Sequence, residues 1–380
     1  MNSNYKRVSL RRTCLICGKP DWCSFTPDGR ISFCARICDG ADRVSRTGWG
    51  VFYHEKSLFP SDSMRAPHRP PPIKVKLAPL EIRDFAYRKL IELAPARADR
   101  EIVDGPNGLR ARKIFDLENY GSLPRTRAER TYVAKQIRSL INRKFPDFVR
   151  CQKSSIAGLP GFWLDRAGRI QLWSDKDYEC SMMLIPYLSM DGFIQACQIR
   201  FMKPDVILNG IRYVWLSTPA KHAGLTSGSP IHFASYDGSN AGKPILITEG
   251  ALKAETSKSF FWDCNVIASA GIACSHDSLV AAIRSRQIFI AFDTDFYVNH
   301  FVALAMVRLI NLIVLTKKIC RRNQIKILSW DTAFKGIDEA LLQNATIIQQ
   351  TPAEWFNSLS QKCRDDLTQT IPDLLIASVK

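Results

Sequence analysis

Apolar positions along this chain follow three different spacings, and each predicts a different kind of element. From residue 80 to about residue 148 they recur at helical intervals: Phe85, Leu90 and Leu93 can share one face, and Ala134, Ile137, Leu140 and Ile141 another. From 182 to 216 the pattern is that of strands. Residues 183–188 and 193–200 predict a hairpin around Ser189-Met190-Asp191-Gly192, and 212–216 a further strand. Between 245 and 295 the apolar runs become short, continuous and β-rich. Ile245-Leu246-Ile247-Thr248-Glu249-Gly250 opens this stretch and Ile288-Phe289-Ile290-Ala291-Phe292-Asp293-Thr294-Asp295 closes it. A helix over 251–261, a strand over 266–269 and a helix over 275–285 fit between them, which predicts βαβ units on buried parallel strands. A long helix over 298–318, a strand over 325–330 and a short helix after Lys335-Gly336-Ile337-Asp338-Glu339 continue the alternation. The last 30 residues read as a peripheral helical tail.

Both flanking runs turn acidic at their ends. In parallel sheets ligands bind beyond the carboxyl ends of the strands, so Glu249, Asp293 and Asp295 are expected at one rim, with Asp338 returning to it. Carboxylates that close repel, and the usual relief is a hard divalent cation such as Mg²⁺. Any one of them alone would read as a helix cap or a solvated strand end; four at successive strand ends read as a site. The only candidate for a phosphate loop ends in Gly242-Lys243-Pro244 and lacks the magnesium-binding hydroxyl, so the chain carries no P-loop motor.

Charge adds a partner to this picture. The formal net charge is +17, and residues 1–150 hold 30 Lys/Arg against 16 Asp/Glu while the remainder holds 23 against 20. The basic excess thus belongs to the N-terminal part, and a polyanion such as DNA or RNA is the expected partner, because phosphate contacts release counterions. Arg125, Arg127, Arg130, Lys135, Arg138, Arg143 and Lys144 form a positive surface that tracks a nucleic-acid backbone or is simply solvated. Arg200, Lys203, Arg212 and Lys221, interleaved with Tyr213 and Trp215, suit a single-strand or nucleotide surface; core packing explains the aromatics equally well.

The chain has 12 cysteines. Its N-terminus is polar and basic without a signal-peptide core, which predicts a cytoplasmic protein with reduced thiols. The apolar run 301–316 is interrupted by Arg308 and Asn311 and falls short of the ~20 residues a membrane span needs, so it predicts a buried helix. Cys14 and Cys17 have zinc-knuckle spacing. Residues 21–25 and 30–35 read as strands joined by Pro27-Asp28-Gly29, and that hairpin sets Cys23 opposite Cys34, where the pair can complete the site; Cys38 is the competing fourth ligand. Prolines crowd residues 56–79, a linker. The expected organisation is a zinc-binding module over 1–55, the linker over 56–79, a basic helical region over 80–150, a strand-rich basic region over 151–240, an α/β region over 241–350 and the tail over 351–380.

Glu249-Gly250 after one strand, Asp293-Thr294-Asp295 after a later one and Gly336-Ile337-Asp338 beyond the next resemble the TOPRIM domain of bacterial-type primases, topoisomerases and some nucleases. The order of zinc module, strand-rich basic segment and TOPRIM resembles a bacterial or phage DNA primase, as does Arg212-Tyr213-Val214-Trp215-Leu216-Ser217-Thr218-Pro219. Nearly the whole chain is similar to primase-like proteins of plasmids, phages and integrative elements, whose C-terminal region is a domain of unknown function with a TOPRIM core. The motifs that carry this are Cys14-Leu15-Ile16-Cys17-Gly18-Lys19-Pro20-Asp21-Trp22-Cys23, Tyr120-Gly121-Ser122-Leu123-Pro124, Thr248-Glu249-Gly250-Ala251-Leu252-Lys253-Ala254 and Ala291-Phe292-Asp293-Thr294-Asp295. The family's cysteine pattern favours Cys23 over Cys38.

The resemblance implies an α/β fold: a zinc-ribbon-like N-terminal module, a basic helical and strand-rich middle, and a C-terminal TOPRIM domain with a Rossmann-like parallel sheet. It implies that Glu249 organises metal or acts as acid/base, that Asp293 and Asp295 ligate Mg²⁺ or Mn²⁺, that Asp338 is a further metal-side carboxylate, and that zinc sits on the cysteines. Arg200 and Arg212, with Lys253, would contact template or nucleoside triphosphate. Replicative primases carry an acidic residue four positions after the glutamate, and here that position is Lys253. The implied activity is primer synthesis on single-stranded DNA with two metal ions, alongside a separately encoded helicase and without a membrane. A recombination-mediator-like clamp without catalysis and a metal-dependent TOPRIM nuclease are the alternatives.

Overall fold

A turn through Gly29, at φ 68°, folds the N-terminal strands back on themselves. The computed structural model describes residues 5–9, 12–16, 23–34, 41–44, 49–54, 76–151, 156–207, 211–219, 221–240, 242–285, 287–297, 299–317 and 324–370. These fall into two compact units, one within Met1–Pro71 and Gln361–Asp373, the other within Pro72–Ser360. In the first, β1 (Lys6–Arg7), β2 (Ser24–Phe25), β3 (Ile31–Cys34), β4 (Arg43–Val44) and β5 (Gly50–Tyr53) form an antiparallel sheet in the order β1-β2-β3-β5-β4. The β2–β3 register pairs Ser24 with Phe33 and Phe25 with Ser32, as the hairpin reading expects. Its core is small: Val8, Phe25 and Phe52 surround Cys14, Cys23 and Cys34.

The second unit begins with α1 (Leu80–Leu93), followed by α2 (Arg100–Asp104), β6 (Gly121–Ser122), α3 (Arg127–Lys144) and α4 (Pro146–Cys151). The buried stripe of α1 is Ile82, Ala86, Tyr87, Leu90 and Ile91, at the three- and four-residue spacings of one helix face. This corrects the expected Phe85–Leu90–Leu93 face: Phe85 is only partly buried and Leu93 is 40% exposed. A capping box between Thr126 and Glu129 starts α3, whose buried side holds Val133, Ala134, Ile137 and Ile141. Next come β7 (Phe162–Leu164) and β8 (Ile170–Leu172), a two-stranded ribbon, then β9 (Met182–Leu188), β10 (Ile194–Phe201) and β11 (Tyr213–Trp215). The expected hairpin around Gly192 is β9–β10, and the antiparallel sheet runs β11-β10-β9-β6. Helices α1 and α3 cover it through one continuous apolar cluster.

The remaining elements are β12 (His232–Ser235), β13 (Ile245–Glu249), α5 (Ala251–Lys258), β14 (Asn265–Ser269), α6 (His276–Ala282), β15 (Ile288–Ala291), α7 (His300–Lys317), β16 (Ile325–Ser329), α8 (Ile337–Leu342), β17 (Ile348–Gln350) and α9 (Pro352–Ser358). Their six-stranded sheet runs β12-β14-β13-β15-β16-β17. The four inner strands are parallel and both edges antiparallel. The edges went unread in the sequence because β12 mixes His232 and Ser235 with apolar residues and β17 is Ile-Gln-Gln. Residues 301–316 lie in α7, most of whose side chains are buried, and no described helix is long and apolar enough to cross a membrane. The two sheets of this unit meet at α5: Ala251 and Leu252 share a cluster with Met183, Ile185 and Tyr187 of β9.

Candidate functional site

Strand β13 is where the parallel sheet reverses direction. The chain leaves β13 for β14 on one side, then crosses back to β15 on the other. A crevice opens at such a switch, beyond the carboxyl ends of the two central strands. Thr248 pairs with Ala291 and its hydroxyl donates to the Ala291 carbonyl at 3.0 Å, locking the register at the rim. Glu249 is the next residue of one strand, and Asp293 and Asp295 follow the other. Directly after Glu249 the chain must turn sharply into α5, and Gly250 does so at φ 86°, a conformation that disfavours side chains.

The carboxylates are crowded. Burial pushes the Glu249 carboxyl above its ordinary range; Lys253 opposes this, while Asp293 and Asp295 add to it. Asp293 is buried, with the Lys253 ammonium on Oδ1 and Lys335 Nζ 3.9 Å from Oδ2. Burial works to discharge Lys253, yet Asp293 and Glu249 hold its pKa above the ordinary lysine value. Asp338, the second residue of α8, comes back to the same neighbourhood: Arg112 donates to its Oδ2 and Lys253 feels its charge. Asp338 Oδ1 and Asp295 Oδ1 are buried without a hydrogen-bond partner. Oxygens of that kind are costly unless a cation or donor reaches them. Glu249 and Asp295 make no ion pair among the described residues. Hard, anionic and incompletely satisfied donors fit Mg²⁺ or Mn²⁺. They gather without closing on one point, since the only described group with three ligand atoms mutually within 4.8 Å is Cys14, Cys23 and Cys34.

The basic residues divide. Arg200, on β10 opposite Tyr213, is 2% exposed and lies inside the fold, which corrects its expected place on the sheet surface. Its guanidinium stands 5.5 Å over the Tyr213 ring, and its Nε and Nη1 have no partner. Burial pulls its pKa down; Tyr213 opposes that, and the like charges of Arg112 and Arg212 add to it, with Asp338 as counter-charge. Arg212 is exposed. Arg112 escaped the sequence reading, since Arg110-Ala111-Arg112-Lys113 looks like any charged turn; the left-handed Lys113 that ends it, at φ 56°, leaves no signature in residue type. Lys203 and Lys221 are paired with Glu101 at 3.6 Å and Asp175 at 2.9 Å. Of the α3 surface, Arg130 is a correction. It is fully buried and donates to the carbonyls of Pro124, Arg125, Ser174 and Lys176, so it braces loops and faces no partner. Lys135, Arg143 and Lys144 are exposed.

In the N-terminal unit Cys23 Sγ and Cys34 Sγ are 3.8 Å apart and Cys14 Sγ is within 4.8 Å of both, all three buried. Two thiolates at about 2.3 Å from a tetrahedral zinc stand about 3.8 Å apart, so the three sulfurs fit that ion. Cys17, one of the four expected ligands, and Cys38, the alternative fourth, lie outside the described residues, as does the linker up to residue 75.

Residues 238–347 match a protein-family model described as a domain of unknown function, DUF3854. No curated protein matches the chain. Solved structures that resemble the chain include primase cores. The RNA polymerase domain of Mycobacterium tuberculosis primase DnaG in complex with double-stranded DNA is 14% identical, with 78% of this chain and 92% of that one covered at a TM-score of 0.47. A DNA primase domain from Pseudomonas aeruginosa is 15% identical over 79% and 98%, at 0.46. The DnaG primase catalytic domain bound to single-stranded DNA is 14% identical over 79% and 98%, at 0.43.

Proposed function

We propose that this protein is a primase-like nucleotidyltransferase that makes short primers on single-stranded DNA for replication of a mobile element. The observation that carries the reading is the convergence at the β13/β15 switch. Glu249 and the Asp293–Asp295 pair leave neighbouring strands there, and Asp338 joins them with Arg112 attached and Arg200 within electrostatic reach. Anionic groups on one side and guanidinium groups on the other are what a nucleoside triphosphate and a primer end require together. Mg²⁺ or Mn²⁺ held at this acidic rim would neutralise charge on the transferring phosphoryl group and acidify the attacking 3′-hydroxyl. Arg212, exposed beside the sheet, would hold the triphosphate, with the buried Arg200 and the Asp338-bound Arg112 supplying positive potential behind it. The cysteine unit, carrying zinc, would hold template DNA, with the exposed bases of α3 adding sequence-independent affinity.

The test is labelled-nucleotide incorporation, ribo and deoxy, on single-stranded templates, comparing wild type with Glu249→Ala and the double change Asp293→Ala/Asp295→Ala. Product from wild type alone supports the reading; no product from folded, zinc-loaded wild type rejects it. The Lys253–Asp293 ion pair favours a second reading, a DNA-binding clamp without catalysis. Full biological complementation by the Glu249→Ala/Asp293→Ala protein would select it.

A further inference from the structure

Lys253 brings a positive charge into the middle of the acidic rim. Its ammonium takes Asp293 Oδ1 while Lys335 approaches Oδ2, so both oxygens of this carboxylate already face positive charge. Gly336 explains how a long side chain fits here. A Cβ at 336 would come within 2.5 Å of Asp338 Oδ1, 2.9 Å of Lys253 Cε and 3.3 Å of Lys253 Nζ, so the missing side chain vacates the space that ammonium and carboxylate share. Lys253 itself is anchored by its position on α5, the helix packed against β13, β14 and β9. Asp338 is 3% exposed and its Oδ1 lacks a partner, and the Lys253 ammonium lies within electrostatic reach of Asp293, Glu249 and Asp338.

We propose that Lys253 is a built-in cation occupying one of two metal places at this rim, so that the pocket takes a single divalent ion, held by Glu249 and Asp295. With Oδ1 on the Lys253 ammonium and Oδ2 facing Lys335, a divalent ion at Asp293 would have to displace an ammonium, and one tethered through a helix cannot be diluted away. Asp338 has Arg112 on one oxygen and the Lys253 side of the crevice beside the other, which leaves as acceptors Glu249, which makes no ion pair among the described residues, and Asp295, whose Oδ1 is buried and unpartnered. This makes Lys253 a positioning residue: it neutralises Asp293 permanently and confines the exchangeable ion to the other side of the crevice. The inference rests on the reading of the rim as a cation-dependent phosphoryl-transfer site.

The experiment counts Mn²⁺ bound to the zinc-loaded full chain, by the loss of the free-ion paramagnetic resonance signal during titration. The expected result is about one ion for wild type, none for Asp295→Asn, and about two for Lys253→Asp, with Lys253→Gln as a second variant expected to follow it. In the metal-free state Lys253→Gln should melt below wild type, and Mn²⁺ should raise its melting temperature by more than it raises that of wild type. Circular dichroism and zinc content establish that each variant is folded. Two ions on wild type, or one ion on both folded Lys253 variants, overturns the inference while leaving the metal-dependent reading intact. No ion on any variant removes that reading, and the inference with it.

Discussion

Arg112 and Asp338, 226 residues apart, form an ion pair whose side chains are 14% and 4% exposed. It ties the turn before β6 to the first turn of α8 and so holds the arginine cluster against the acidic rim. A pair this buried contributes little net stability, but removing one partner strands the other charge. Arg112→Met is therefore expected to cost about 3–5 kcal/mol, measured by urea unfolding, and the double change Arg112→Met/Asp338→Leu to recover much of that loss. A single change within about 1 kcal/mol of wild type would show that the pair is solvent-screened in solution.

The basic residues of α3 do two different jobs. Arg130 is buried on four carbonyls, whereas Lys135 and Arg143 stand in solvent. Arg130→Lys should lower stability by about 2–4 kcal/mol, since one ammonium cannot reach all four acceptors. Its folded fraction should bind single-stranded DNA with unchanged salt dependence. Lys135→Ala and Arg143→Ala should do the reverse, leaving stability within about 0.5 kcal/mol and reducing the slope of log affinity against log salt by about 0.7 each. Equal slopes for wild type and the double alanine variant would remove α3 from the DNA-binding surface.

That contrast also marks what the sequence can and cannot disclose. The βα alternation from 245 to 338 was readable because parallel strands are buried on both faces and write themselves as continuous apolar runs ending in acid. The Cys23–Cys34 pairing was readable because one turn fixes a hairpin's register. Arg130 and Arg200 were not, since a buried guanidinium and a solvated one look alike until the surrounding carbonyls or rings are in place. Arg112 and Asp338 meet only through the tertiary fold, and nothing local in either segment announces the other. The Lys253 departure was visible as a letter, but its contact with Asp293 was not.

The N-terminal unit should depend on metal for its fold. Its core has few apolar side chains around three sulfurs, too little burial to offset chain entropy unaided. Cys23→Ser or Cys34→Ser is expected to abolish binding of about one zinc per chain and to open residues 5–54 to proteolysis. The thermal transition of the Pro72–Ser360 unit should stay in place. Chelation of wild type should reproduce the same digest. A zinc-free protein with a protected N-terminal segment would show that the cysteines are packing residues.

Glu255 gives the second unit a pH-dependent joint. It lies on α5, and its Oε1 is 2.8 Å from His232 Nε2, while His232 Nδ1 accepts the Leu188 amide at 3.1 Å. The ring proton therefore resides on Nε2 and points at the carboxylate, linking β9, β12 and α5. Burial favours the protonated acid, but the His232 hydrogen bond and Lys258 outweigh it and hold Glu255 below its ordinary value of 4.5. A depressed folded pKa means that the contribution is complete above the unfolded value and is lost as pH falls through the folded one. Glu255→Gln keeps an acceptor for His232 and removes the charge, so it should cost about 1–3 kcal/mol near neutral pH. The gap between wild type and variant should narrow once the pH drops below 4.5. Urea midpoints of both proteins across that range decide the matter: a gap of constant size would mean that Glu255 contributes through shape and not through its ionised form.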